Sequence, residues 1–154
     1  MLARIQTLYL FLAALLAASS MFLPFWSFSS DHLFIVSDFG ASQIADITYT
    51  VSCFAGTVFS PLTALMALIA VFQFKNRALQ TRLIIAAIVF FVLDFFSGLA
   101  AAHFMNQHFL ALGTVVSHSP GAGLYSMLPE PVLLFLGIRG VKEDEKIANA
   151  YKRL

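Results

Sequence analysis

Two carboxylic acids stand in segments otherwise built for lipid. The run IIAAIVFFVLDFFSGLAAA carries Asp94 near its middle, and YSMLPEPVLLFLG, residues 125–137, sets Glu130 between Pro129 and Pro131. A carboxyl in such a place can move a proton, hold a cation or hydrogen-bond a neighbouring helix. Asp94 lies twelve residues beyond Arg82, about 18 Å of helix, and Glu130 nine residues before Arg139, about 13 Å. Both depths fall near the middle of a hydrocarbon core about 30 Å thick. No Lys or Arg occurs at that depth. An ionised carboxylate there costs at least about 2.5 kcal/mol. Desolvation penalises the charged form, so the neutral acid is expected, hydrogen-bonded to a neighbour or wetted by a cavity. Pro131 has no N–H and frees carbonyls near Tyr125 to Met127, to which a protonated Glu130 can donate, as it can to Ser126. Two roles follow. One is polar glue inside a bundle. The other is a proton or ion site shared by Asp94 and Glu130, with the broken helix supplying free backbone groups.

The elements that must hold these groups are membrane spans. The chain has 154 residues, 60% hydrophobic and 11% charged. Soluble domains carry about 25% charged residues, so the composition indicates an integral membrane protein with the lipid bilayer as its first partner. A net charge of +1 gives no basis for nucleic-acid binding. Four segments reach the roughly 20 apolar residues that a spanning helix needs: about 5–28, 47–74, 83–105 and 116–138, followed by a tail, 139–154. The expected fold is all-α, a single domain over 1–154: a bundle of four transmembrane helices with a short C-terminal cytoplasmic helix. All nine Lys and Arg, namely Arg4, Lys75, Arg77, Arg82, Arg139, Lys142, Lys146, Lys152 and Arg153, fall in the N-terminus, the loop between spans two and three, and the tail. The positive-inside rule then places both termini in the cytoplasm. A cleaved signal ending in LAASS is the rival, but the apolar run continues through MFLPFWSF, whose Trp26 and Phe28 suit a membrane interface.

Small residues spaced by four, Ala13 with Ala17, Ala14 with Ala18 and Gly98 with Ala102, permit close helix approach. Asp94 shares a helical face with Ala87, Gly98 and Ala101 and is expected to face the bundle interior. The Asp94 and Glu130 depths differ by about 5 Å, so the carboxyls meet only if spans three and four are neighbours. The 17 Phe are packing and lipid-facing bulk.

The opening MLARIQTLYLFLAALL...FLPFWSF, the middle VFQFKNRALQTRL and the closing LGIRGVKEDEKIANAYKRL resemble a bacteroidete family of four-span proteins, domain of unknown function 4293, over essentially the whole chain. The resemblance implies an inner-membrane protein of a Gram-negative cell and carries over no catalytic residue.

The loop FKNRALQTR clusters Lys75, Arg77 and Arg82. Such cations anchor topology and pair with anionic headgroups. With Asn76 and Gln80 they also form a candidate contact surface for an acidic partner, to which Arg139 and Lys142 of the tail add. In VKEDEKIANAYKRL, Glu143 and Lys146 are spaced for i,i+3 pairing on a helix, and Val141, Ala148 and Tyr151 form a narrow apolar stripe. His32, His103, His108 and His118 fit no metal spacing. Cys53 is alone, which excludes an intrachain disulfide. No nucleophile-and-base set or phosphate-binding loop is present. The expectation is therefore a non-enzymatic protein without metal or cofactor, an accessory or scaffold subunit beside other membrane subunits or copies of itself. The alternative is a small proton- or ion-coupled transporter or channel using Asp94 and Glu130.

Overall fold

A computed structural model describes residues 2–29, 33–40 and 44–151. The elements run α1 (Leu2–Ser20), β1 (Trp26–Ser29), β2 (Leu33–Val36), α2 (Ile47–Phe72), α3 (Arg77–Ala111), β3 (Ser117–Pro120), α4 (Ala122–Met127) and α5 (Glu130–Tyr151). The fold is mostly helical, and three helical stretches, Ile47–Phe72, Arg77–Ala111 and Ala122–Ala148, are long and apolar enough to cross a membrane. α1 is a shorter apolar helix. α2 packs on α1 and α3, and α5 packs on the other sides of the same two helices. The four long helices therefore close into a ring.

Small residues line the seams of this ring. Leu10, Ala13, Ala14, Ala67, Ala70, Ile84, Ala87, Leu134 and Val141 form one buried cluster, in which alanines let backbones approach closely. Caps fix where the helices begin. Asp46 accepts the Tyr49 N–H at 3.0 Å at the start of α2. Asn76 accepts the Leu79 N–H at 3.1 Å at the start of α3. Each satisfies a backbone donor that has no partner within its helix.

Three of the four spans differ from the sequence expectation: α3 extends six residues beyond 83–105 at each end, and the first and fourth change in kind. The first helix stops at Ser20 rather than continuing to Phe28. Ser19 and Ser20 turn their hydroxyls back onto Leu16 O and Ala17 O, and Pro24, with no N–H, cannot extend the helix. Trp26 and Phe28 lie instead in the central strand of a three-stranded antiparallel sheet, order β2-β1-β3. Trp26 pairs with Val36 and Pro120, and Phe28 with Phe34 and His118. The stretch expected as the start of the fourth span supplies β3 and the short α4 before α5 begins. Among the described residues the tail forms no separate helix: α5 runs unbroken to Tyr151.

The sheet covers one end of the ring. Phe28, Val36 and Ile44 pack there with Tyr49 of α2 and with Ala101, Ala102, Met105 and Phe109 of α3. The opposite end carries Lys75, Arg77, Arg82, Arg139, Lys142 and Lys146. The molecule thus has a sheet end and a cationic end.

Candidate functional site

Asp94 and Glu130 are both buried, at 5% and 1% exposure. They lie on neighbouring helices, α3 and α5, which pack against each other. A third carboxyl joins them. Asp38 follows β2 and turns back into the bundle beside α2, where Thr57 Oγ1 donates to its backbone carbonyl. Gly56 makes the approach possible. A Cβ added there would sit 3.1 Å from Asp38 Oδ1, 3.5 Å from Asp94 Oδ1 and 3.6 Å from Ser97 Oγ. The two aspartates therefore face each other across Gly56, and Glu130 is buried on α5, which packs against the helix that carries Asp94.

The surroundings are polar but incompletely bonded. Ser60, 1% exposed, lies beside both aspartates, yet its hydroxyl makes no hydrogen bond of ordinary geometry. Glu130 Oε1 is also buried without a partner. Ser126 donates to Gly123 O at 2.7 Å and Ser97 to Asp94 O at 2.7 Å. Pro61 lies inside α2 and has no N–H for the carbonyl of Thr57, one turn back and next to Gly56. Pro131 sits in the first turn of α5, where the missing N–H costs nothing. Its neighbour Glu130 occupies the N-terminal turn of α5, the positive end of the helix dipole. Among the described residues no three His, Cys, Asp or Glu converge as ligands for one metal ion.

The proposed contact residues of the cationic end divide into two sets. Asn76 caps α3. Gln80, 1% exposed, donates to Ala70 O at 2.9 Å and ties α3 to the end of α2. Arg77 donates to the backbone carbonyl of Asp144, whose side chain accepts from Gln6 Nε2 at 2.7 Å. These three side chains hold the fold together from within. Lys75, Arg82 and Lys142 are exposed, and Arg139 pairs with Glu143 at 3.2 Å along α5. That i,i+4 pair occurs in place of the expected Glu143–Lys146 contact. Val141 is fully buried, while the Tyr151 side chain and His32 lie outside the described residues.

The sequence matches the model of the family described as Domain of unknown function (DUF4293) over residues 2–154. The chain belongs to this family. No curated protein matches it, so within this DUF4293 chain the geometry alone carries the functional argument.

Sequence reasoning found two of the three carboxyls. Asp38 was missed because it sits in a loop of ordinary polarity, and only the fold shows that the loop turns inward. The available signal was Gly56 with Ser60 and Pro61: a notch, a hydroxyl and a broken backbone bond within six residues of one span.

Burial raises the carboxyl pKa of Asp38 above its ordinary value, and the Ser60 hydroxyl opposes this in part. The sign for stability follows by linkage. Burying Asp38 is least costly below about pH 4, where both folded and unfolded states are protonated. Stability then falls as pH rises from there through the raised folded-state value. Asp38→Asn is expected to remove this slope. Thermal melts in detergent from pH 4 to 7 should show the variant gaining on the wild type as pH rises. A parallel pair of curves contradicts the placement of Asp38.

Proposed function

We propose that the protein is a four-span inner-membrane protein with both termini in the cytoplasm, and that it moves protons through the row Asp38, Asp94 and Glu130. The carrying observation is that buried Asp94 faces Asp38 across Gly56, with Glu130 buried on the adjoining helix, and that among the described residues none of the three forms an ion pair. Such a row suits protons. Each acid binds one, and the neutral form is the one that a bundle interior tolerates. The sheet end faces outward in this reading, so Asp38 is the first group met from outside, Asp94 the relay and Glu130 the innermost acceptor. The Ser60 hydroxyl beside both aspartates and the freed Thr57 carbonyl provide the intermediate hydrogen-bonding groups that a relay uses. No covalent chemistry is assigned to the chain.

The orientation rests on the cations, which gather at the end opposite the sheet. A cytoplasm-active reporter fused to the C-terminus and a periplasm-active one inserted between Ser29 and Thr48 should both be active. A periplasmic C-terminus overturns the topology. For function, vesicles containing the purified protein and a trapped pH dye should acidify when a potential, negative inside, is imposed. Vesicles no leakier than protein-free controls overturn the proton reading.

A second reading, a non-enzymatic accessory or scaffold subunit within a larger membrane complex or a homo-oligomer, is favoured by Lys75 and Arg82, which the fold leaves exposed. Reversing both to Glu should release a bound partner during mild-detergent purification. Unchanged co-purification counts against that reading.

A further inference from the structure

Arg139 stands on a ridge of α5 with a groove on either side. One groove, a cavity of about 260 Å³, lies between α1 and α5 over Ile5, Tyr9 and Leu136. The other, about 280 Å³, runs over Phe135 and Ile138 and reaches Lys142 and Lys146. Arg139 and Glu143 border both. The helical spacing explains this arrangement. Residues 135, 138 and 142 fall to one side of Arg139, residues 136, 140 and 143 to the other, and Lys146 lies two turns further along the same ridge. On α5 the floor residues Phe135, Leu136 and Ile138 lie on the sheet-end side of Arg139, and Tyr9 lines the first groove from α1. Ile5 stands level with the charges, because Gln6 packs on Gly140 and donates to Asp144. The charges lie at and beyond Arg139, towards the cationic end.

The pattern is that of a two-chain anionic lipid. We infer that the α1–α5 ridge binds one anionic glycerophospholipid. Its phosphate sits on Arg139, and its two acyl chains descend in the two grooves, one past Tyr9 and Leu136, the other past Phe135 and Ile138. Glu143 engages Arg139 at Nε. That contact fixes the guanidinium and leaves its terminal N–H groups for a phosphate, which they meet as a fork. Lys142 and Lys146 add charge on the phosphate side. Glu143 also bars a second phosphate from that flank, so the site fits a lipid with a single phosphate. Arg139 and Glu143 are both exposed, so neutralising this ridge leaves the buried core intact.

The test is lipid retention by the full-length protein, read by native mass spectrometry after exchange into equimolar phosphatidylglycerol and phosphatidylcholine. The wild type should retain phosphatidylglycerol preferentially by about tenfold, and Arg139→Gln and Lys142→Gln should each reduce that preference by about fivefold, the share of one cation near the headgroups. Lys75→Gln, on the α2–α3 turn, should leave it unchanged. Excess inorganic phosphate should not displace the lipid, because it lacks the chains. Equal retention of the two lipids by the wild type overturns the inference and leaves the ridge to an acidic protein partner. An equal loss in Lys75→Gln overturns it in favour of a general cationic field, and displacement by inorganic phosphate reduces it to an anion site.

Discussion

Asp94→Asn should lower proton uptake by reconstituted vesicles at least ~10-fold while leaving the protein folded, as expected for the central group of a relay. Asn keeps the size and hydrogen-bonding capacity of the neutral acid, so helix packing has no reason to change. What disappears is the titratable proton. Asp94 is the group to test because its helix touches both of the others' elements: Asp38 meets it across Gly56, and Glu130 is buried on α5, which packs on α3. Glu130→Gln should act in the same direction. Gly56→Val supplies a second, independent arm, because its side chain would intrude between Asp38 Oδ1 and Asp94 Oδ1, 3.1 and 3.5 Å from the first added atom. If the carboxyls are polar glue alone, Asp94→Asn and Glu130→Gln leave uptake untouched. Flux at the wild-type level in Asp94→Asn, with an unchanged melting temperature, removes Asp94 from the path.

Gly121→Ala should be among the most destabilising small substitutions in the chain, by about 2 kcal/mol or more. Gly121 precedes α4, and its N–H donates to Phe25 O at 2.9 Å. An added Cβ would overlap the carbonyl of Pro24, a backbone group that no side-chain rotation can move. Gly123 is held the same way, with its N–H on Pro24 O at 2.8 Å. This seam joins the α1–β1 corner to the start of the α4–α5 segment, so it sets where Glu130 enters the bundle. Gly137→Ala provides the contrast. Its Cβ would meet Leu10 Cδ2 at 2.7 Å, the end of a side chain rather than a backbone atom, so a small shift of Leu10 relieves the overlap. Thermal melts in detergent should therefore show a large fall for Gly121→Ala and a small one for Gly137→Ala. Equal falls contradict the docking of α4 on the Pro24 corner.

How much of this was legible in the sequence differs by element. The helices α2 and α3 could be read directly because length and apolarity act locally, and Asp46 and Asn76 cap them by contacts within three residues. Asp94 could be assigned to the interior face because Ala87 and Ala101 share that face, and all three are buried. The sheet was hidden by the apolar excess. WSFS alternates in period two, which is strand-like, but SHSP does not, and both lie inside or beside runs long enough to pass as helix. Their partnership also joins residues about ninety positions apart, beyond the reach of any local pattern. The inward turn at Asp38 depends on that sheet, so the third carboxyl was out of reach for the same reason. At the cationic end, Asn76 and Gln80 looked like surface hydrogen-bonders because composition cannot tell a helix cap or a buried cross-link from a docking contact. Distances to Leu79 N and Ala70 O decide it.

The most direct test of the central claim, that a protonatable carboxyl row lies inside the bundle, is infrared difference spectroscopy of the protein in lipid while the pH is stepped on the sheet side. The account predicts a carbonyl stretch of a protonated acid that responds to pH, shifts in deuterium oxide, and is lost from the difference spectrum in Asp94→Asn and altered in both Asp38→Asn and Glu130→Gln. A protonated-acid band that ignores pH, or one that survives unchanged in Asp94→Asn, contradicts it.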